Sequence, residues 1–164
     1  MKRTEILGVG YDNLAVNQAV QSAVSLLESG RKADIFFLNH ECLRIAFKDE
    51  EYSKILDTAD LVLPDGAVLS LVTRWYGGRM KQNCNGTDLI PLILSAAAER
   101  RKSIFFVGGR EGIAARAAAK LAAKIPSLQI AGYASGYFKD DEMVRRINAS
   151  HTDILVVGMG APLQ

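Results

Sequence analysis

The sequence has few cysteines and aromatic residues, little excess charge and no long apolar run. Only 7% of its 164 residues are aromatic, one of them tryptophan, and it has two cysteines. Cys42 and Cys84 lack CxxC spacing, which favours a reduced, cytoplasmic protein over a disulfide scaffold. The net charge of +2 comes from 20 basic and 18 acidic residues. Without a dense basic block, this balance argues against a nucleic-acid binder.

No segment has the features of a secretory signal or a membrane span. The basic residues at the N-terminus are followed by an apolar stretch that Asp12 soon interrupts. No apolar run reaches the roughly 20 residues that a spanning helix needs. Attachment to a membrane surface is left open, although the sequence shows no basic amphipathic anchor for it.

Apolar residues make up 49% of the chain, enough for one domain with a substantial core. Strand-like and helix-like segments alternate without repeats or an interdomain linker. This alternation predicts an α/β fold with a mostly parallel sheet and helices on both faces. The predicted strands are 6–9, 34–38, 61–63, 103–107, 128–132 and 154–157.

Local signals predict where several helices begin and which residues they bury. Asn13 is expected to cap the first helix, and Thr87 or Asp88 the helix that runs to Arg100. Trp75 and Tyr76 end another predicted helix. We expect them to be core residues, with an apolar lip for a lipid chain as the alternative.

Asp65 is the main candidate for chemistry, because it follows an apolar run in Leu63-Pro64-Asp65-Gly66. Ligands of open α/β sheets bind beyond the carboxyl ends of the strands, where a carboxylate can act as a general base. The alternative is ordinary turn chemistry, since Pro-Asp-Gly favours a tight turn.

Other strand ends would bring polar or glycine residues to the same edge of the sheet. These are Asn39, Gly136 and the glycine turns Gly108-Gly109-Arg110-Glu111-Gly112 and Gly158-Met159-Gly160. Backbone N–H groups in such turns can bind a phosphate. Several of these positions at one edge are better support for a nucleotide site than any of them alone.

The segment Gly8-Val9-Gly10-Tyr11-Asp12-Asn13 nearly matches the dinucleotide fingerprint GxGxxG. Asn13 replaces the third glycine. The second strand ends in Asn39, which leaves no acidic residue to bind a ribose diol. A nicotinamide-dependent oxidoreductase is therefore a weaker alternative.

An ordered set of short motifs resembles the WecG/TagA/CpsF glycosyltransferases of bacterial cell-surface polysaccharide synthesis. The resemblance covers nearly the whole chain. Its motifs are Ile6-Leu7-Gly8-Val9, Asn39 with Glu41, Leu63-Pro64-Asp65-Gly66, Gly86-Thr87-Asp88-Leu89, Phe106-Val107-Gly108-Gly109, Gly136-Tyr137-Phe138 and the segment 158–164.

The resemblance implies a Rossmann-like fold and an inverting transfer without a cofactor or a bound metal. The sugar, N-acetylmannosamine or a related hexose, would pass from a UDP donor to a polyprenyl-diphosphate-linked saccharide. Asp65 corresponds to the family's proposed base. Asn39 and Gln164 correspond to residues at the donor, Gln164 near its diphosphate.

Further donor-site candidates are Gly109, Gly136 and Tyr137, whose ring either stacks on uracil or packs. Asn83 stands where members of the family carry an arginine, and it is a candidate for substrate binding. Asp88 is either a helix cap or a second substrate contact.

The family pattern continues beyond Gln164 with a basic appendage. The resemblance therefore predicts that residues 1–164 are a single catalytic core of a truncated protein. The full-length protein is expected at the cytoplasmic face of the membrane, which it would reach through the missing segment. Self-association is left open. The alternative function is a non-catalytic or degenerate nucleotide-binding module of the same fold.

Overall fold

The computed structural model describes residues 3–138 and 140–163 and has the α/β, Rossmann-like architecture that the sequence predicts. The chain forms two compact units, Met1–Ile93 and Leu94–Gln164. The boundary between them falls within one helix.

The first unit contains four strands and most of the helices. Its elements are β1 (Thr4–Ile6), β2 (Val9–Tyr11), α1 (Val16–Glu28), β3 (Ile35–Leu38), α2 (His40–Ala46), α3 (Glu50–Thr58), β4 (Leu61–Pro64), α4 (Ala67–Trp75) and the start of α5 (Gly86–Glu99). Strands β3 and β4 pair in parallel, with Leu38 opposite Pro64. Every residue of β4 is buried, as expected for a strand covered on both faces.

The first predicted strand, 6–9, is wrong, because it is the turn of a hairpin. Strands β1 and β2 pair antiparallel, with Ile6 opposite Val9. The two residues between them, Leu7 and Gly8, have φ of +50° and +80°. Positive φ at both central positions is the geometry of a type I′ turn, where Asn-Gly is the usual signal. Leucine at the first position gives no such signal in the sequence.

The second unit contains a three-stranded parallel sheet. Its elements after α5 are β5 (Ser103–Gly108), α6 (Ile113–Lys124), β6 (Gln129–Ala134), α7 (Asp140–Ala149) and β7 (Ile154–Gly158). The strand order is β6-β5-β7. Strand β5 is central and almost wholly buried. Because it pairs with both neighbours, the glycine turn that follows it lies in the middle of this edge.

Both predicted helix caps are wrong. The Asn13 side chain instead contacts residues 79 and 81, where it donates to the Arg79 carbonyl and accepts from the Lys81 N–H. Helix α1 begins later, at Val16. The N-terminus of α5 is capped by Asn85, whose Oδ1 accepts from the Asp88 N–H at 2.9 Å. The position three residues ahead of Asp88 is the usual place for such a cap.

The prediction that Trp75 and Tyr76 lie in the core is also wrong, since both are largely exposed. The buried residues of α4 are Leu69 and Thr73. None of the helices in the described part of the chain is both long and apolar enough to cross a membrane.

Asp12 joins the β1–β2 hairpin to β4. Its backbone N–H donates to the Val62 carbonyl at 2.7 Å, and its Oδ2 accepts from the Val62 N–H at 2.8 Å. The same Oδ2 accepts from Nε of Arg3 at 3.2 Å. The Arg3 guanidinium also donates to the carbonyls of Leu56, Asp57 and Ala59 at the end of α3. The Asp12 carboxylate thus accepts a hydrogen bond from the buried backbone of β4. It also orients Arg3, which donates to the end of α3.

We predict that Asp12→Ala lowers the free energy of unfolding by about 1–3 kcal/mol, because it leaves the buried Val62 N–H without an acceptor. Urea unfolding followed by circular dichroism measures the change. Glu5→Ala is the control, since Glu5 lies on the same hairpin and is exposed. Equal effects of the two variants would contradict the role given to Asp12.

Candidate active site

The backbone around Asp65 is fixed by hydrogen bonds from three directions. The Asp65 N–H donates to the Leu38 carbonyl at 2.8 Å, which continues the pairing of β3 with β4. The Cys84 N–H donates to the Pro64 carbonyl at 2.9 Å. The Gly66 N–H donates to Oδ1 of Asn83 at 2.7 Å. The strand end that carries the carboxylate is therefore rigidly placed.

Gly66 allows the chain to turn after Asp65 without a steric clash. Its φ is +102°, in the range that favours glycine. Helix α4 begins at the next residue, and no side chain caps it. Asp65 thus stands between the end of a buried strand and the N-terminus of a helix.

The Asp65 carboxylate makes no hydrogen bond or ion pair with any described residue, and the residue is only partly exposed. The carboxylates of Asp12, Asp49, Asp60 and Asp153 all accept structural hydrogen bonds. A carboxylate held at a strand end without such a partner keeps its lone pairs available for a ligand or a proton.

Asn39 follows β3, next to Asp65 at the end of the neighbouring strand. Its Oδ1 accepts from the N–H groups of Glu41 and Cys42, both at 3.0 Å, and so caps α2. The Nδ2 amide has no partner among the described residues. The structure thus leaves Asn39 one group to offer a ligand, a hydrogen-bond donor.

Asn83 and Asp88 are both engaged within the first unit. Oδ1 of Asn83 accepts from the Gly66 N–H, so this side chain contacts the turn after Asp65. The Asp88 carboxylate accepts from Nδ2 of Asn85 at 2.8 Å. Sequence reasoning missed the supporting contact of Asn83. A side chain that contacts a glycine turn from a distant loop produces no recognisable pattern in the local sequence.

Cys84 lies between these two residues and is not a nucleophile. It is buried, and burial raises the pKa of its thiol. A raised pKa keeps the thiol neutral at physiological pH. Its Sγ donates to the Leu14 carbonyl at 3.7 Å, so the residue belongs to the packing of the loop.

In the second unit, the backbones of Gly109 and Gly136 come into direct contact. The Gly136 N–H donates to the Gly109 carbonyl at 2.8 Å. A Cβ at Gly136 would lie 3.3 Å from Cα of Gly108, and one at Gly108 would overlap the carbonyl oxygen of Gly158. This close approach of three strand ends in the second unit requires glycine.

The turn after β5 leads into α6 without a side-chain cap. Gly109 and Gly112 have φ of +66° and +79°, and Gly112 is the N-cap residue. The first N–H groups of a helix lack acceptors within the helix, and the dipole there favours an anion. The turn is therefore suited to binding a phosphate.

Tyr137 borders a cavity of about 330 Å³ in the second unit. Its side chain is 76% exposed, so it is not packed in the core. Other lining residues are Glu111, Tyr133, Ser135, Glu142 and Arg146. Arg146 is held in place, because it donates to the Tyr133 carbonyl at 3.0 Å and lies over the Phe105 ring.

Three remaining expectations concern residues outside these clusters. Gln164 lies outside the described residues, and its role stays a prediction. The Gly8-Val9-Gly10 motif belongs to the β1–β2 hairpin and does not open a helix, which removes the geometric basis of the dinucleotide fingerprint. Within residues 3–138 and 140–163, no three His, Cys, Asp or Glu side chains are grouped to hold a metal ion.

These features define a Rossmann-like protein with a carboxylate at one strand end and glycine turns suited to phosphate at others. The profile described as "Glycosyl transferase WecG/TagA/CpsF family" matches residues 4–164. The chain belongs to this family.

Curated relatives carry the name N-acetylglucosaminyldiphosphoundecaprenol N-acetyl-beta-D-mannosaminyltransferase. The protein from Bacillus spizizenii is 32% identical over 139 residues, which covers 84% of this chain and 54% of the relative. The Bacillus subtilis protein is 29% identical, with 80% and 52% covered. The Staphylococcus aureus protein is 24% identical, with 99% and 65% covered. The chain thus spans about half to two thirds of the length of these relatives.

We predict that Asn83→Leu speeds hydrogen exchange at the Gly66 N–H, because leucine has a similar size but no acceptor. Asn83→Asp keeps an acceptor oxygen and is expected to preserve most of the protection. Amide exchange followed by NMR measures both, and urea unfolding should show a loss of about 0.5–1.5 kcal/mol for the leucine variant only. Unchanged exchange at Gly66 in Asn83→Leu would contradict the supporting role of Asn83.

Proposed function

We propose that this chain is the catalytic core of an inverting glycosyltransferase that uses a UDP-sugar donor and a polyprenyl-diphosphate-linked acceptor. The observation that carries the proposal is Asp65, whose backbone is fixed at a strand end and whose carboxylate has no partner among the described residues. Family membership and the names of the relatives support the reaction class.

The proposed reaction is one in-line displacement at the anomeric carbon. The acceptor hydroxyl oxygen forms the new bond to that carbon while Asp65 takes the hydroxyl proton. The bond from the anomeric carbon to the donor phosphate oxygen breaks, and UDP leaves with the electron pair. A single attack from the face opposite the leaving group inverts the configuration. One carboxylate is enough, unlike the pair that a glycosidase needs.

Backbone and amide donors would stabilise the negative charge that grows on the departing UDP. The Nδ2 amide of Asn39, which lies in the same unit as Asp65, is suited to this role. Fixed dipoles of this kind stabilise developing charge without reorganisation. We propose that these groups replace a metal ion.

The acceptor is proposed from the relatives, whose names specify a diphosphoundecaprenol-linked N-acetylglucosamine and an N-acetylmannosaminyl group. For this chain we propose the same class of acceptor, with N-acetylmannosamine or a related hexose as the sugar. Asn83 stands at the position of the family arginine and contacts the protein's own backbone. It contributes no positive charge to substrate binding.

The second candidate function is a non-catalytic nucleotide-binding module. The neutral Asn83 side chain, which contacts Gly66, favours it. Replacing a cation by an amide that contacts Gly66 removes a group that could bind a phosphate. Such a module would bind UDP but transfer no sugar, whichever acceptor is offered.

We predict that Asp65→Asn lowers turnover by about 10²-fold or more while UDP-sugar binding is retained, because the amide cannot accept the acceptor's proton. Transfer of labelled sugar to a polyprenyl-diphosphate saccharide is measured in the 164-residue chain and in the complete natural gene product. Asp57→Asn is the matched control, an exposed carboxylate of the same unit. Full turnover by Asp65→Asn would exclude Asp65 as the base. UDP binding without turnover in the wild type would establish the second candidate.

We predict that Tyr137→Ala weakens UDP binding roughly tenfold, because stacking of a base on an aromatic ring contributes about 1–3 kcal/mol. Tyr137→Phe keeps the ring and should bind UDP as the wild type does. Titration with UDP and with pyrophosphate separates the two parts of the ligand, since only UDP carries the base. Equal losses for UDP and pyrophosphate would show that Tyr137 does not contact uracil.

A further inference from the structure

Helix α4 has two apolar faces, only one of which packs against the protein. The inner face carries Leu69 and Thr73, and Thr73 Oγ1 lies 3.4 Å from the hydroxyl of the buried Tyr11. The opposite face carries Val68, Leu71 and Trp75, which share one side because successive residues turn by about 100°. An amphipathic helix of a soluble domain would carry polar residues there.

The outward face is strongly exposed to solvent. The exposed fractions are 48% for Val68, 66% for Leu71 and 91% for Trp75, and Tyr76, directly after the helix, is 63% exposed. Contiguous exposed apolar residues of this size mark a surface that binds something. We call Val68, Leu71, Trp75 and Tyr76 the α4 face.

The charged residues along the chain within and after α4, up to the residue before Asp88, all have one sign. Between Asp65 and Asp88 the chain has three basic residues, Arg74, Arg79 and Lys81, and no acidic residue. Arg74, Arg79 and Lys81 are all exposed. The whole chain has a net charge of +2, so this segment alone exceeds the excess of the protein. Its partner is therefore expected to be anionic as well as apolar.

Phe47 is another strongly exposed aromatic residue of the first unit, but its charged neighbours differ from those of the α4 face. It is 72% exposed at the end of α2. The residues that follow it are Lys48, Asp49, Glu50 and Glu51, which are mostly acidic. Between these two exposed patches of the described residues, the α4 face is the one that has exposed aliphatic and aromatic side chains together with neighbours along the chain that are all basic.

We propose that the α4 face docks on the surface of an anionic lipid bilayer. Tryptophan and tyrosine favour the level of the lipid head groups, and lysine and arginine are attracted to anionic lipids. The apolar side chains of a surface helix enter the boundary between head groups and acyl chains. The chain itself would thus carry a membrane contact, in addition to any segment beyond residue 164.

Docking of the α4 face on a bilayer does not depend on the proposed function. Only its consequence for Asp65 rests on that function. Helix α4 starts two residues after Asp65, and its nine residues span about 14 Å. Docking through this helix would hold the candidate base near the membrane surface, where a polyprenyl-linked acceptor has its reacting end.

Trp75 is the only tryptophan of the sequence, so tryptophan fluorescence reports on the α4 face. The 164-residue chain, checked by circular dichroism, is titrated with vesicles of phosphatidylglycerol or of phosphatidylcholine alone. We expect a blue shift of Trp75 emission and protection from an aqueous quencher with phosphatidylglycerol vesicles. The effect should weaken at high salt, because salt screens the basic residues.

Variants test which side chains carry the binding in vesicle sedimentation. Leu71→Ser and Trp75→Ala should each lower partitioning about tenfold, from the apolar area no longer buried. Arg74→Gln, Arg79→Gln and Lys81→Gln should each lower it roughly fivefold, and only on phosphatidylglycerol. Phe47→Ser is the matched control and should leave partitioning unchanged.

Two outcomes would overturn the proposal. One is Trp75 emission that does not respond to phosphatidylglycerol vesicles while the chain remains folded. The other is a blue shift that rises with protein concentration without lipid, which would mean that a second copy covers the face. The vesicles contain neither donor nor acceptor, so either result is independent of the Asp65→Asn assay.

Discussion

The structure of the candidate site depends on the hydrogen bonds that hold β4 along its whole length. Val62 exchanges bonds with Asp12 on one edge, and β3 pairs with the other. Beyond the strand, Asp65 and Gly66 donate to Leu38 and Asn83. Because β4 is buried, water cannot replace a lost hydrogen-bond partner of its backbone. Each of these partners is therefore needed. These bonds fix the backbone of Asp65, whose carboxylate makes no hydrogen bond with a described residue.

The sequence predicted the architecture well where signals are local. Alternating apolar runs indicated β3 to β7, and the structure confirms an α/β fold with parallel pairings. It failed where distant residues compete. Asn13 looks like a helix cap but contacts residues 79 and 81, and the hairpin turn at Leu7 has no usual turn residue first. Asp65, by contrast, could be singled out, because Pro-Asp-Gly after a buried strand is a local pattern.

The roles proposed for this chain follow from which polar groups the fold leaves free. Asn39, Asn83 and Asp88 have carbonyl or carboxylate oxygens engaged in caps and turns, whereas Asp65 has none engaged with described residues. The glycine contacts of Gly109 and Gly136 in turn keep a backbone-lined edge in the second unit. The chain belongs to the WecG/TagA/CpsF family. The exposed face of α4 adds a route to the membrane that supplies the proposed acceptor.

Calorimetric titration with UDP and with NAD⁺, each with and without Mg²⁺, tests the central claim most directly. It needs the 164-residue chain, shown to be folded, and the complete natural gene product as a parallel sample. The account predicts that UDP binds, that Mg²⁺ does not change its affinity, and that NAD⁺ does not bind. A folded protein that binds NAD⁺, or a complete gene product that binds no UDP, would contradict it.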